Sequence, residues 1–166
     1  GKLNYGSAGN ASAGHLAMEY LKLVTGIQIE HIPYRGTGPQ LVDLLAGRTE
    51  MSSAGTPALV PHIRSGKLRA VAVGMPERIP ALPDVPTVAE SGYPGFDIGA
   101  WNGILAPAGT PSAIVNRLAA EIAKVTKNAE ARERASSQGA ELTSMTPQEF
   151  TDYIRRMIGH FAKVVK

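Results

Sequence analysis

Apolar and polar positions in the first half of the chain repeat one grammar: a short β-branched or apolar run, a turn of small residues, then a helical pattern. "KLNYGS" leads through "AGNAS" into "AGHLAMEYLKLVTG", in which Leu16, Tyr20, Leu23 and Val24 fall on one face and Gly26 supplies a C-terminal stop. "IQIEHIPYR" leads through "GTG" into "PQLVDLLAG", and "EMSSAGT" leads into "PALVPHIRSG". "LRAVAVG" closes the series as a further strand. Strand and helix alternating at this spacing predict βαβ units, and so an α/β fold with a parallel sheet and right-handed crossovers.

The pattern then changes. "MPERIPALPDVPTVAESGYPGFDIGAW" is dense in Pro and Gly and carries one short helical pattern, near "PTVAESG". It reads as an ordered surface connection, because apolar anchors recur within it. "WNGILAPAG" has the composition of a strand. The remainder is helical: "TPSAIVNRLAAEIAKVTKN", with Thr110 as N-cap and Pro111 at the first helical position, and then "AEARERASSQG". "TPQEFTDYIRRMIGHFAKVVK" opens on Thr146, Pro147 and Glu149, a capping-box spacing. Phe150, Ile154, Ile158, Phe161 and Val165 form its apolar stripe, which requires a sheet to cover.

Composition narrows the classes. The 43% apolar content fills a core, while 5% aromatic and 19% charged residues leave little for a stacking or nucleic-acid surface. The net charge of +3 is scattered over Lys22, Arg48, Arg64, Lys67, Arg78 and Arg117 without a basic stripe, which supports weak attraction for an anion and no nucleic-acid partner. The absence of cysteine excludes disulfides, thiolate metal sites and a cysteine nucleophile. The chain opens on Gly1 and runs at once into strand-like residues, the expected look of a cut inside a longer protein, so a missing leader says nothing about compartment.

Chemistry concentrates in the small-residue turns. "GNASAGH" has glycines at positions 9 and 14 but His15 where a phosphate-binding P-loop needs lysine, and Gly6, Gly9 and Gly14 miss the dinucleotide spacing. Ser12 has Gly14 after it but Asn10 before it, and Ser7 has Gly9 after it but Tyr5 before it, so neither completes a nucleophile elbow. A strand, a small-residue turn and a helix start still favour an anion, since the first helical amides lack acceptors and small side chains let a ligand approach them. The plain alternative is that Ser12 only caps its helix and the glycines only turn the chain.

In a parallel sheet the turns after all strands open onto the same edge. "AGNAS", "YRGTGPQ" and "SSAGTPA" then sit side by side, and three helix starts with Arg35 make a site for a small carboxylate. His15, His62 and His160 lie in helical patterns and His31 in a strand, with structural roles expected for each and no metal-ligand spacing among them. The acidic residues form no pair suited to general acid and base work. Met18, Met51 and Met157 read as core filler, and Trp101 as a core anchor rather than an aromatic wall.

With "GKLNYGSAGNASAGHLA", "IPYRGTGPQLVDLLAGR", "PHIRSGKLRAVAVG", "RIPALPDVPTVAESGYPGF", "WNGILAPAGTP" and the ending in this order, the whole chain resembles the Bug or TctC-like solute-binding proteins of tripartite tricarboxylate transporters. The resemblance implies a type II periplasmic-binding-protein fold, two α/β lobes closing on a cleft. It implies a periplasmic protein, not an enzyme and without a cofactor, that hands a di- or tricarboxylate or an aromatic acid to a membrane permease. It assigns ligand contact to the first turn, Ser7, Ala8, Gly9, Asn10, Ala11 and Ser12, to the second, Tyr34, Arg35, Gly36 and Thr37, and to the third, Ala54, Gly55 and Thr56.

Two departures sharpen the expectation. The family's first turn usually reads G-S-x-G-x-G-S, and Ala11 stands at its last glycine; if that position needs positive φ, alanine costs about 1 kcal/mol there. The family's third turn often carries an acidic or amide residue, and Ala54 and Gly55 in its place favour a plain acid over an amino acid. The resemblance also makes residues 1–98 most of a second lobe and residues 99–166 a return to the first lobe. Helices that lack the sheet they cover would pair with a first-lobe segment held elsewhere or with another copy of the chain. Competing readings are a serine hydrolase using Ser12 with a histidine base, and a module that presents its ligand state to a membrane sensor.

Overall fold

The computed structural model describes Leu3 to Ala162 and Val164. By contacts the chain divides into two compact units, Gly1–Ala100 and Trp101–Lys166.

In the first unit, β1 (Asn4–Ser7), β2 (Glu30–Pro33) and β3 (Met51–Ser52) form a parallel sheet in the order β2-β1-β3, joined by α1 (Ala13–Thr25) and α2 (Thr37–Leu45) and followed by α3 (Thr56–Arg64). β1 is central, with Asn4 opposite Glu30 and Tyr5 opposite both His31 and Met51. The α/β reading of the sequence holds here. Local chemistry sets the ends of α1: the Ser12 hydroxyl accepts from the His15 amide, and Gly26 adopts a left-handed φ of 72° and returns its amide to the Lys22 carbonyl.

Residues 68–74, "LRAVAVG", do not form the expected strand. They hold one parallel bridge, Val73 to Thr87, while Val71 is 72% exposed. The Val73 amide goes to Pro86 O and the Ile98 amide to Gly74 O, so the proline-rich connection, rather than a sheet strand, takes up this backbone. That connection is ordered, with Ala81 and Leu82 packing on Val60 of α3 and Phe96 meeting Tyr20 of α1 at 5.2 Å between centroids. "PTVAESG" makes a single turn rather than a helix. Thr87 and Glu90 exchange reciprocal backbone-to-side-chain bonds of 2.7 and 3.0 Å, and Gly92, with φ of 107°, stops propagation.

The second unit carries α4 (Ser112–Lys127), α5 (Ala129–Ser137) and α6 (Pro147–Phe161). "WNGILAPAG" forms no strand, since among the described residues no strand pairs with it, and its Ile104 and Leu105 are exposed. Thr110 does not cap α4; its hydroxyl donates to Pro107 O at 2.8 Å, and Pro111 occupies the N-cap. The Thr146 and Glu149 capping box forms as expected. Trp101 packs edge-on against Phe150 and Tyr153 at 5.7 and 5.4 Å but stays 39% exposed, so it is no core anchor. On the α6 stripe, Phe150, Ile154 and Phe161 are half-buried and Ile158 is exposed, while Val165 lies outside the described residues.

Candidate functional site

β1, β2 and β3 end at Ser7, Pro33 and Ser52, and the turns that follow lie on one rim. Backbone bonds lace them together: Tyr34 N to Ser7 O at 3.0 Å, Gly36 N to Ala8 O at 3.1 Å and Ser53 N to Gly6 O at 3.2 Å. The fit leaves little room for a side chain at Gly9 and none at Gly14. A Cβ on Gly9 would sit 3.0 Å from Tyr34 O, and one on Gly14 would sit 2.1 Å from Ser53 O. The glycines of the first turn therefore do two jobs, taking a φ of 126° at Gly9 and admitting the third turn against α1 at Gly14.

Within the first turn each residue has a definite place. Ser7 is fully buried; its hydroxyl lies 2.6 Å from His31 Nε2 and closes on the amide and carbonyl of Gly9, so it faces the sheet and not the rim. Ala11 has a φ of 60°, alone among the described non-glycine residues in its positive value, which meets the condition set for it in the sequence. Its amide donates to His15 Nδ1 at 3.1 Å. Ser12 N goes to Gly9 O, and Asn10 is exposed. Among the described residues, the amides of Asn10, Ala13 and Gly14 have no acceptor.

In the second turn, Gly36 caps α2 at a φ of 109° and Thr37 begins it. The Tyr34 hydroxyl donates to Asp43 Oδ2 at 2.9 Å, and Asp43 also takes Arg48 at 2.8 Å. Burial and that bond to Asp43 raise the Tyr34 phenol above its ordinary value; the bonds from Arg48 and Tyr34 lower Asp43. Arg35 is exposed and has no carboxylate within ion-pair distance among the described residues. In the third turn, Gly55 caps α3 and Thr56 is its first residue, beside half-buried Ala54.

Two groups behind the rim were not anticipated. Gln40 is fully buried, and its amide nitrogen donates to Gly6 O at 2.8 Å, Ser52 Oγ at 2.5 Å and Ser53 O at 3.2 Å, tying β1 to the third turn. A lone glutamine after Pro39 gives no sequence signal of this. His15 stacks on His31 at 4.1 Å, and His31 on Tyr5 at 4.9 Å. Burial, then the like charge that a protonated His15 would set against it, holds His31 below its ordinary value. Glu19 accepts from Tyr5 at 2.9 Å and from Lys22 at 2.7 Å; burial opposes its ionisation, but these bonds outweigh it and its pKa is lowered.

The arrangement does not make a serine nucleophile. The Ser12 hydroxyl is occupied by the His15 amide while the His15 ring takes Ala11, and Ser7, paired with His31, is sealed from solvent. Glu19, which would have to orient an imidazole, bonds Tyr5 and Lys22 instead. Among the described residues no three His, Asp or Glu side chains converge as a metal site, and no helix is long and apolar enough to cross a membrane. What the rim offers is backbone N–H groups at helix starts, a chemistry that favours negative charge.

The model of the tripartite tricarboxylate transporter family receptor matches residues 1–166. The chain belongs to that family. It is a family of receptors rather than enzymes. The chain is 39% identical to Protein BugT of Bordetella pertussis over 93% of its own length and 48% of BugT, and it spans about half the length of the curated relatives it matches. Among solved structures, an R. palustris protein with adipate is 34% identical, with a TM-score of 0.93 over 98% of this chain and 55% of that one. The periplasmic binding protein BugD is 33% identical with a TM-score of 0.87, over 98% and 55%. MatC from Rhodopseudomonas palustris with bound malate is 31% identical with a TM-score of 0.84, over 99% and 57%. The fold of this chain is thus that of the part of these receptors it covers.

Proposed function

We propose that this chain supplies one wall of the carboxylate site of a periplasmic solute-binding protein, which captures a di- or tricarboxylate or an aromatic acid and delivers it to the membrane permease of a tripartite tricarboxylate transporter. One observation carries the reading: three helix starts laced onto one rim, with amides at Asn10, Ala13 and Gly14 that no group among the described residues accepts. Backbone N–H groups and the positive ends of helices α1, α2 and α3 complement a carboxylate without a metal or a cofactor. Arg35, exposed in the second turn, adds a cation near it. The adipate and malate held by two related receptors support the ligand class.

In this reading the ligand meets the turns at residues 8–12, 34–37 and 54–56 and the start of α1, with the backbone N–H groups of Asn10, Ala13 and Gly14 making the contacts, while Ser7 and the Gly36 amide, already bonded within the protein, support the turn from behind. Because Ala11 gives its amide to His15, its own part is to shape the turn. Residues 1–98 belong to one lobe, and residues 99–166 return to the other. Titration calorimetry of the full-length protein against adipate, malate, citrate and benzoate tests the proposal. Saturable binding of one acid is expected, with a raised melting temperature in its presence. No heat and no thermal shift across the panel overturns it.

A further inference from the structure

We infer that His15 positions the anion-binding turn, and that an imidazole stands there because it closes the helix cap without placing a negative charge beside the bound carboxylate. This rests on the carboxylate reading above. Ser12 caps α1 and accepts from the amide of His15, three residues on. In reply the His15 ring accepts an amide through Nδ1, that of Ala11, one residue before the cap. The exchange has the form of a capping box.

The same chain shows what ordinarily fills that role. At α6 the Thr146 hydroxyl accepts from the Glu149 amide, and the Glu149 carboxylate takes the Thr146 amide at 2.7 Å. A glutamate is a good choice at a helix start, where negative charge is favoured. At α1 the same glutamate would lie one turn from Asn10, Ala13 and Gly14, whose amides await an anion, and would repel it. Imidazole accepts the hydrogen bond without that charge.

The turn needs such an anchor. Ala11 holds a left-handed backbone that any Cβ disfavours, so its amide must be fixed from outside. His15 is fixed in turn by stacking on His31, and His31 reaches Ser7 Oγ, which binds Gly9. Two stacked rings thereby grip both ends of the turn. The charged or titratable groups around the pair are Tyr5, Glu19 and Lys22, and Glu19 and Lys22 are paired with each other.

The test compares His15→Gln with His15→Glu in the full-length protein. The two side chains share length and acceptor oxygen and differ in charge. Adipate and malate affinities come from calorimetry at neutral pH, and stability from urea unfolding. His15→Glu is expected to unfold at the same or a higher urea concentration than His15→Gln and to bind the acids about tenfold more weakly. His15→Phe, which loses the acceptor, should bind about fivefold to tenfold more weakly than His15→Gln, and Ala11→Gly should restore much of that loss by removing the strain. Equal affinities for the Gln and Glu variants, or no rescue by Ala11→Gly, overturn the inference. Amide hydrogen exchange at Ala11 separates the two readings. Wild-type protein that binds no acid refutes the carboxylate reading, whereas an Ala11 amide no better protected in wild type than in His15→Phe refutes the cap itself.

Discussion

Substitution of Gly14 by alanine tests the apposition of α1 and the third turn most directly. The added Cβ would lie 2.1 Å from Ser53 O, 2.8 Å from Ser53 C and 3.5 Å from Ser53 Oγ. The obstacle is a backbone carbonyl, which has no rotamer into which to retreat, so α1 and the turn must move apart. Overpacking of this kind costs about 1–3 kcal/mol, with an immovable partner placing it at the upper end. Alanine returns up to about 1 kcal/mol as the better helix former. The net expectation is a loss of about 2 kcal/mol, or about 4–8 °C in Tm for a chain of this size. Separation of the rim should also weaken adipate or malate by about tenfold, the worth of one hydrogen bond to a charged group. Gly38 is the natural control, since it holds the corresponding second position of α2 and a Cβ there meets nothing within 4 Å. Urea unfolding and calorimetry on wild type, Gly14→Ala and Gly38→Ala decide the matter. A Gly14→Ala protein as stable as Gly38→Ala would refute the close contact on which the rim is built.

Gln40→Leu should destabilise by about 2 kcal/mol, because it strips a buried donor from Gly6 O, Ser52 Oγ and Ser53 O; urea midpoints measure it, and an unchanged midpoint contradicts the tie. Acidification should lower stability through His31. Its folded-state pKa is depressed below the ordinary 6.5, so the unfolded chain binds the proton more readily, and stability present above that value is lost as pH falls through the depressed one. Urea midpoints from pH 7.5 downward should fall less steeply in His31→Gln than in wild type, and identical slopes would count against the assignment. Thr146→Ala should cost about 1 kcal/mol by removing the α6 cap, read as earlier amide exchange in its first turn.

The sequence by itself determined what is settled within a few residues. The Ser12 cap and the Thr146 and Glu149 box follow from side chains that reach their own backbone, and the Gly26 stop from a residue that tolerates positive φ, so their spacing reveals them; the left-handed turn at Ala11 is suggested only by the family's glycine at that position. The alternation of strands and helices fixed the parallel sheet, and with it the convergence of three turns on one rim. Tertiary structure decided whatever needs a distant partner. "LRAVAVG" and "WNGILAPAG" have strand composition, but a strand exists only where another backbone accepts its hydrogen bonds, and the first spends its own on the proline-rich connection. The burial of Gln40 beneath the first and third turns, and the stacking of His15 on His31, join residues that periodicity leaves unrelated. Local hydrogen bonds are written in spacing; long-range packing is chosen only when the whole chain has brought its surfaces together.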